Sequence, residues 1–187
     1  MGTTVLLVLD IQNGIVGMIE NSEAYLQRLA PTIDAARKAG LRIIYVTVAM
    51  RPGYPEVSAR NNMFARVKDH GGSFVEGDPS TRVHSAVSPA DGDILVTKRR
   101  VSAFHGTDLD VVLRSLDAET LVLAGVSTSG VILSTVRQGA DMDYRLVVLE
   151  DMCVDRDQEL HDTLMKMFTK QAQVVSAAEW IAGLEQK

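Results

Sequence analysis

"LLVLDIQNG", residues 6–14, decides the fold. The five residues Val5–Leu9 are apolar at every position and run directly into an acid, Asp10. A stretch this short, with no polar alternation, reads as a strand buried on both faces, the kind found in parallel sheets. It is too short to span a membrane, which takes about 20 apolar residues. It lacks a basic leader, so it reads as a strand and not as a signal peptide.

Outward from this strand the chain alternates between strand and helix. Ser22 reads as an N-cap, followed by Tyr25, Leu26, Leu29, Ile33 and Ala36 at helical spacing, with Gly40 as the terminating C′ glycine. Further strands are expected over Leu41–Val48, Ile94–Thr97, Leu121–Ala124, Arg145–Leu149 and Gln173–Val175. Helices are expected over Asp108–Leu116 (capped by Thr107), Ser129–Asp141, Gln158–Thr169 and Ala177–Leu184. Residues 49–90 read as mostly irregular. A loop region of that length inside a compact domain is either functional or ordered by its own packing. The alternation predicts parallel pairing with right-handed crossovers and a three-layer α/β/α sandwich. No repeat or linker interrupts it, so residues 1–187 read as a single domain.

The bulk numbers fit that reading. The chain has 187 residues, 46% hydrophobic and 23% charged, with a net charge of −5. An acidic balance gives no electrostatic reason to expect nucleic acid or an anionic membrane as a partner. The single cysteine, Cys153, forms no intrachain disulfide and fits a cytoplasmic location. The four histidines, His70, His84, His105 and His161, show no metal-ligand spacing, so neither a metal nor another cofactor is expected.

In sheets of this type ligands sit beyond the carboxyl ends of the strands. That rule selects Asp10, Lys98 and the turn Gly125–Gly130. Asp10 reads either as a strand-end acid capping its loop or as a carboxylate in a partly dry cleft, able to exchange protons. Lys98 opens a basic run with Arg99 and Arg100. It reads as part of a solvated cluster or as the partner that tunes Asp10. The turn residues Val126, Ser127, Thr128, Ser129 and Gly130 offer backbone N–H groups for an oxyanion, or simply an ordinary helix cap. Arg51, Tyr54, Arg60, Asn61 and Phe64 are expected in pocket walls suited to a carboxylate or an aromatic ring. His105, in a loop at the same sheet edge as Lys98, is a further binding candidate.

Three stretches, "LLVLDIQNG" at 6–14, "VTKRRVSAFHGTDLD" at 96–110 and "LAGVSTSGVILSTVRQGADMDYRLVVLEDMC" at 123–153, resemble the isochorismatase-like cysteine hydrolase superfamily. The resemblance implies a Rossmann-like, six-stranded parallel sheet and an aspartate–lysine–cysteine triad. The aspartate falls on Asp10 and the lysine on Lys98. The family turn reads like GVATNVCVLATAR; set against GVSTSGVILSTVR without a gap, its cysteine falls on Val131. Cys153 matches a different, non-catalytic position. The resemblance also implies a non-proline cis peptide at Val126–Ser127. Amidase members bind a metal through an Asp-x-His motif after the second strand, which TVAMRPGYPEVSARNN, residues 47–62, does not contain. True isochorismatases lack the cysteine and cleave a vinyl ether by proton transfer.

Valine has no nucleophilic atom, so covalent acyl chemistry is not expected. The leading expectation is a small-molecule hydrolase using Asp10 and Lys98 as an acid–base pair, with Ser127 and Ser129 as fallback nucleophiles. The alternative is a catalytically inactive binding or scaffold member. A homodimer or higher oligomer is expected from the resemblance and from the apolar final helix with Trp180 and Ile181.

Overall fold

The computed structural model describes residues 2–69 and 73–184. The central sheet has six strands, all parallel: β1 (Thr3–Leu9), β2 (Arg42–Val48), β3 (Ile94–Lys98), β4 (Ala118–Val126), β5 (Arg145–Val154) and β6 (Gln173–Val175). Their order is β3-β2-β1-β4-β5-β6. The order reverses between β1 and β4, which opens a crevice beyond their carboxyl ends.

The β1 side chains divide between the two faces. Val5, Leu7 and Leu9 enter one core with Val46, Leu121, Leu123, Val136 and Phe168. Leu6 and Val8 enter the other with Leu26, Leu29, Ile33 and Tyr45. This alternation explains the unbroken apolar run, because both faces of the strand are covered by helices. Helix α2 (Ser22–Lys38) covers the second face and α7 (Ala177–Leu184) packs beside it. Helices α4 (Leu109–Ser115), α5 (Leu133–Asp141) and α6 (Gln158–Phe168) cover the first. Trp180 packs against its own chain's core. Among the described residues no helix is long and apolar enough to cross a membrane.

Several boundaries differ from the expectation, each for a local reason. Ser22 is the first helical residue; the cap position belongs to Asn21, which is left-handed at φ 53°. Gly40 does take the left-handed conformation that ends α2. Strand β5 runs past Leu149 to Val154, because the charged pair Glu150 and Asp151 is exposed while Met152 and Cys153 turn inward. The helix expected from Ser129 begins instead as a π turn over Thr128–Ile132.

The stretch 49–90 is less irregular than expected. It contains α3 (Asn62–Asp69), and two 3₁₀ turns, Pro79–Thr81 and Ser85–Val87. It forms a small core of its own from Val48, Met50, Tyr54 and Phe64, with Ile15 of the short helix α1 (Asn13–Val16) packed against it. Gln12, fully buried, clamps this excursion to the sheet. Its Nε2 donates to the carbonyls of Val48 and Thr81, each at 2.8 Å, and its Oε1 accepts from Val48 N–H at 2.8 Å.

Candidate active site

Asp10 leaves the end of β1 at φ 56°, a left-handed conformation uncommon for a non-glycine residue. Its N–H donates to the Val46 carbonyl of the neighbouring strand at 2.8 Å, which fixes the bend. Lys98 ends β3, two strands away, in register with Val48 of the intervening β2. Its four-carbon stem crosses the end of β2, and Nζ lies 2.8 Å from Asp10 Oδ2. Nζ also donates to the Arg100 carbonyl at 3.1 Å. Both residues are buried, Asp10 at 4% exposure and Lys98 at 3%. Asp10 Oδ1 has no hydrogen-bond partner. Burial pushes the Asp10 carboxyl above its ordinary value, while the charge and hydrogen bond of Lys98 pull it down; burial wins.

The second strand end of the site depends on Gly125. A Cβ there would lie 2.3 Å from the Leu9 carbonyl oxygen, so only glycine lets β4 run this close to β1. The chain then turns through a cis peptide at Val126–Ser127 into the π turn. This brings Val126, Ser127, Ser129, Gly130 and Val131 to the wall of the cleft that holds Asp10 and Lys98.

Two of the expected oxyanion donors are engaged within the protein. The Ser129 N–H donates to Asp155 Oδ2 at 2.7 Å, and the Gly130 N–H to the Ser127 carbonyl at 3.2 Å. Both amides already have acceptors inside the protein. Thr128 is not a cleft residue; it is buried, with its hydroxyl 2.8 Å from His161 Nδ1. Burial alone would raise the Asp155 carboxyl, but hydrogen bonds from Ser129 and from the Asp157 and Arg156 amides hold it below its ordinary value.

The cleft encloses about 810 Å³. Its walls are mainly apolar: Ile15 and Met18 on one side, Met63, Phe64 and Phe74 from the 49–90 excursion, and Val126, Val131 and Val154 from the sheet. Of the six proposed binding residues only Phe64 lines it, under the Arg100 guanidinium, which stands 5.8 Å from the ring centre. Arg51 is exposed and faces Glu56 at 3.8 Å. Tyr54, left-handed at φ 54°, turns its ring into the small core and donates its hydroxyl to the Ser73 carbonyl. Arg60 is exposed in the turn before α3, and the Asn61 side chain accepts the Phe64 N–H at 3.2 Å, capping that helix. His105 is exposed in the loop before α4, outside the cleft. His84 accepts the Ala86 N–H, and His70 lies outside the described residues.

Asp155, Arg156 and Phe74 line the cleft but were not singled out by the sequence. The first two follow from the true end of β5: once the strand reaches Val154, the next residues stand at its carboxyl end.

Cys153 is buried on β5 opposite Gly125, its thiol 3.8 Å from the Leu123 carbonyl. Burial pushes that thiol up to about 12. Thiol-alkylating reagents are therefore expected to leave turnover unchanged in the native protein. Stoichiometric labelling of Cys153 with proportional loss of turnover, while the fold persists by circular dichroism, overturns this.

Comparison with known proteins places the chain among relatives of this architecture. The family model described as the isochorismatase domain matches residues 4–179. The chain is 32% identical over 168 residues to the isochorismatase family protein YwoC of Bacillus subtilis, covering 89% of this chain and 86% of YwoC. It is 30% identical over 170 residues to the ureidoacrylate amidohydrolase RutB of Methylorubrum extorquens, covering 80% of this chain and 68% of RutB. Among solved structures it is similar to an isochorismatase family protein from Burkholderia thailandensis, with a TM-score of 0.83, 29% identity, and coverage of 98% of this chain and 96% of that one.

Proposed function

The chain belongs to the isochorismatase family, and on that premise we propose that it is a hydrolase of a small molecule whose chemistry is proton transfer by Asp10 and Lys98, without a thiol nucleophile. One observation carries the reading: a buried Asp10–Lys98 pair at 2.8 Å, with Asp10 Oδ1 unpartnered, in an apolar cleft whose nucleophile position is Val131.

The arrangement suits an enol ether. The Asp10 carboxyl, raised by burial, gives its proton to the terminal vinyl carbon. The electron pair of the C=C bond forms the new C–H bond, and the ether oxygen shares the resulting positive charge. Water adds to that oxocarbenium carbon and loses a proton to the Asp10 carboxylate. The hemiketal then breaks its C–O bond to the leaving group, its hydroxyl proton passing to the departing oxygen, which releases a ketone and an alcohol. Lys98 stabilises the carboxylate in the interval between the two proton transfers. A covalent acyl route to amide hydrolysis would need a nucleophile at residue 131, and the valine methyls supply none.

The test is a panel of enol ethers and amides assayed for saturable turnover. Enol ether hydrolysis that depends on Asp10 supports the proposal. Tight binding with no turnover of any member overturns it in favour of a binding protein.

Val131→Cys restores the family pattern and tests the construction of the cleft. Val131 is 2% exposed, and the swap changes the core by roughly a methyl group, so stability is expected to change by no more than about 1.5 kcal/mol. The new thiol shares the cleft with the Lys98 ammonium and sits at the start of the helical segment. Its pKa is expected below the free value of about 8.5. Alkylation rate against pH measures it. A value at or above the free one means that Lys98 does not act on this position.

A further inference from the structure

We infer that Arg156 anchors the carboxylate of a substrate whose apolar body fills the cleft. The inference deepens the proposed hydrolase and rests on the cleft being its substrate site.

Among the described residues two cations line the cleft, with opposite circumstances. The Lys98 ammonium is already engaged by Asp10 and the Arg100 carbonyl. Arg156 also lines the cleft, yet its guanidinium forms no ion pair with any described residue. Neither acidic neighbour in sequence forms an ion pair with it. Asp155 is held by the Ser129 amide, and Asp157 caps α6 by accepting the Leu160 N–H at 3.0 Å. The basic run near Lys98 is occupied elsewhere: Arg99 pairs with Glu56 and Glu76, and Arg100 donates to the Glu56 carbonyl. Arg156, an exposed residue at the rim, is thus the guanidinium of the cleft without an ion pair among the described residues, and a planar fork of this kind matches a carboxylate bidentately.

Its place in the fold adds to the effect. Arg156 stands two residues before α6, an eleven-residue helix whose positive end faces the same rim. Glu20, which also lines the cleft, forms no ion pair with a described residue and disfavours a second carboxylate near itself. The rest of the wall is mainly aliphatic, thioether and aromatic. The ligand that satisfies all of these is a monoanion: one carboxylate at the rim and an apolar body of aromatic or similar size inward, carrying its reactive group to Asp10.

Binding of non-hydrolysable probes separates this inference from the catalytic reading. Phenylacetate, 4-phenylbutyrate and 6-phenylhexanoate, each beside its neutral carboxamide, are titrated by calorimetry into wild type, Arg156→Ala and Arg156→Lys. No probe has a scissile bond, so the outcome does not depend on turnover. At least one carboxylate is expected to bind wild type about 10-fold more tightly than its amide, the order expected for a charged hydrogen bond partly open to solvent. Arg156→Ala is expected to bring the pair within about 2-fold, with Arg156→Lys between the two. Equal binding of acid and amide to wild type overturns the inference. So does a carboxylate preference that survives Arg156→Ala, which would place the anion on Lys98, or the absence of binding by every probe.

Discussion

Asp10→Asn is expected to lower turnover of any accepted enol ether by about 100-fold or more, the usual range for loss of a positioned acid or base. The asparagine keeps the size of the side chain but carries no titrating proton. Lys98→Met keeps the stem, removes the charge, and is expected to cost a similar factor. The double variant is expected to be little worse than either single one, because two groups that share one proton act as a unit. The pH profile carries a sign as well. If the protonated Asp10 is the acid, kcat/KM falls as pH rises through a pKa that burial holds above the ordinary 3.8, and Asp10→Asn removes that limb. Each substitution leaves a buried partner alone, so thermal unfolding must accompany the kinetics. Near-wild-type turnover in a folded Asp10→Asn protein ends the proton-transfer mechanism.

Gly125→Ala is expected to be the most damaging single methyl added at the site. The new carbon would meet the Leu9 carbonyl oxygen at 2.3 Å and the Leu9 Cβ at 2.7 Å. Both belong to the central strand, where neighbours on either side forbid retreat. Overpacking against backbone of this kind is expected to cost about 3 kcal/mol, a fall in Tm of about 6–12 °C for a chain of this size. Relief can come only by parting β1 from β4, which moves Asp10 away from the turn, so turnover is expected to fall as well. Calorimetric unfolding and turnover check the two halves. A Tm within 2 °C of wild type means that the strands separate freely there.

Much of the architecture was legible because both faces of the sheet are covered. That condition leaves runs such as Val5–Leu9 and Leu121–Ala124 with no polar interruption, and their carboxyl ends then point to Asp10, Lys98 and the Gly125–Gly130 turn. What was hidden depends on contacts distant in sequence. The exposed Glu150 and Asp151 ended the apolar run of β5 early, so Asp155 and Arg156 were not placed at a strand end. The short helix α3 was hidden by the glycines and prolines around it, although the packing of Phe64 fixes it against Met50 and Tyr54. The turn amides looked free, because no local pattern shows that Asp155, 26 residues away, accepts from Ser129. The polar stretch Arg51–Asn61 suggested ligand contacts, whereas Arg51, Tyr54 and Asn61 hold the excursion's own loops together.

The small core over the cleft has a consequence for access. It rests on four buried residues, Val48, Met50, Tyr54 and Phe64, against eighteen and twenty-one on the two faces of the sheet among the described residues. Burial of apolar area contributes to the free energy of opening each unit, so separating the roof from the floor is expected to cost less than unfolding the sheet. Floor and roof therefore answer to different free energies. The floor carries Asp10 and Lys98 at the carboxyl ends of β1 and β3. Substitutions in the roof are therefore expected to alter binding and residence time, and substitutions in the floor proton transfer, on opposite sides of one cavity.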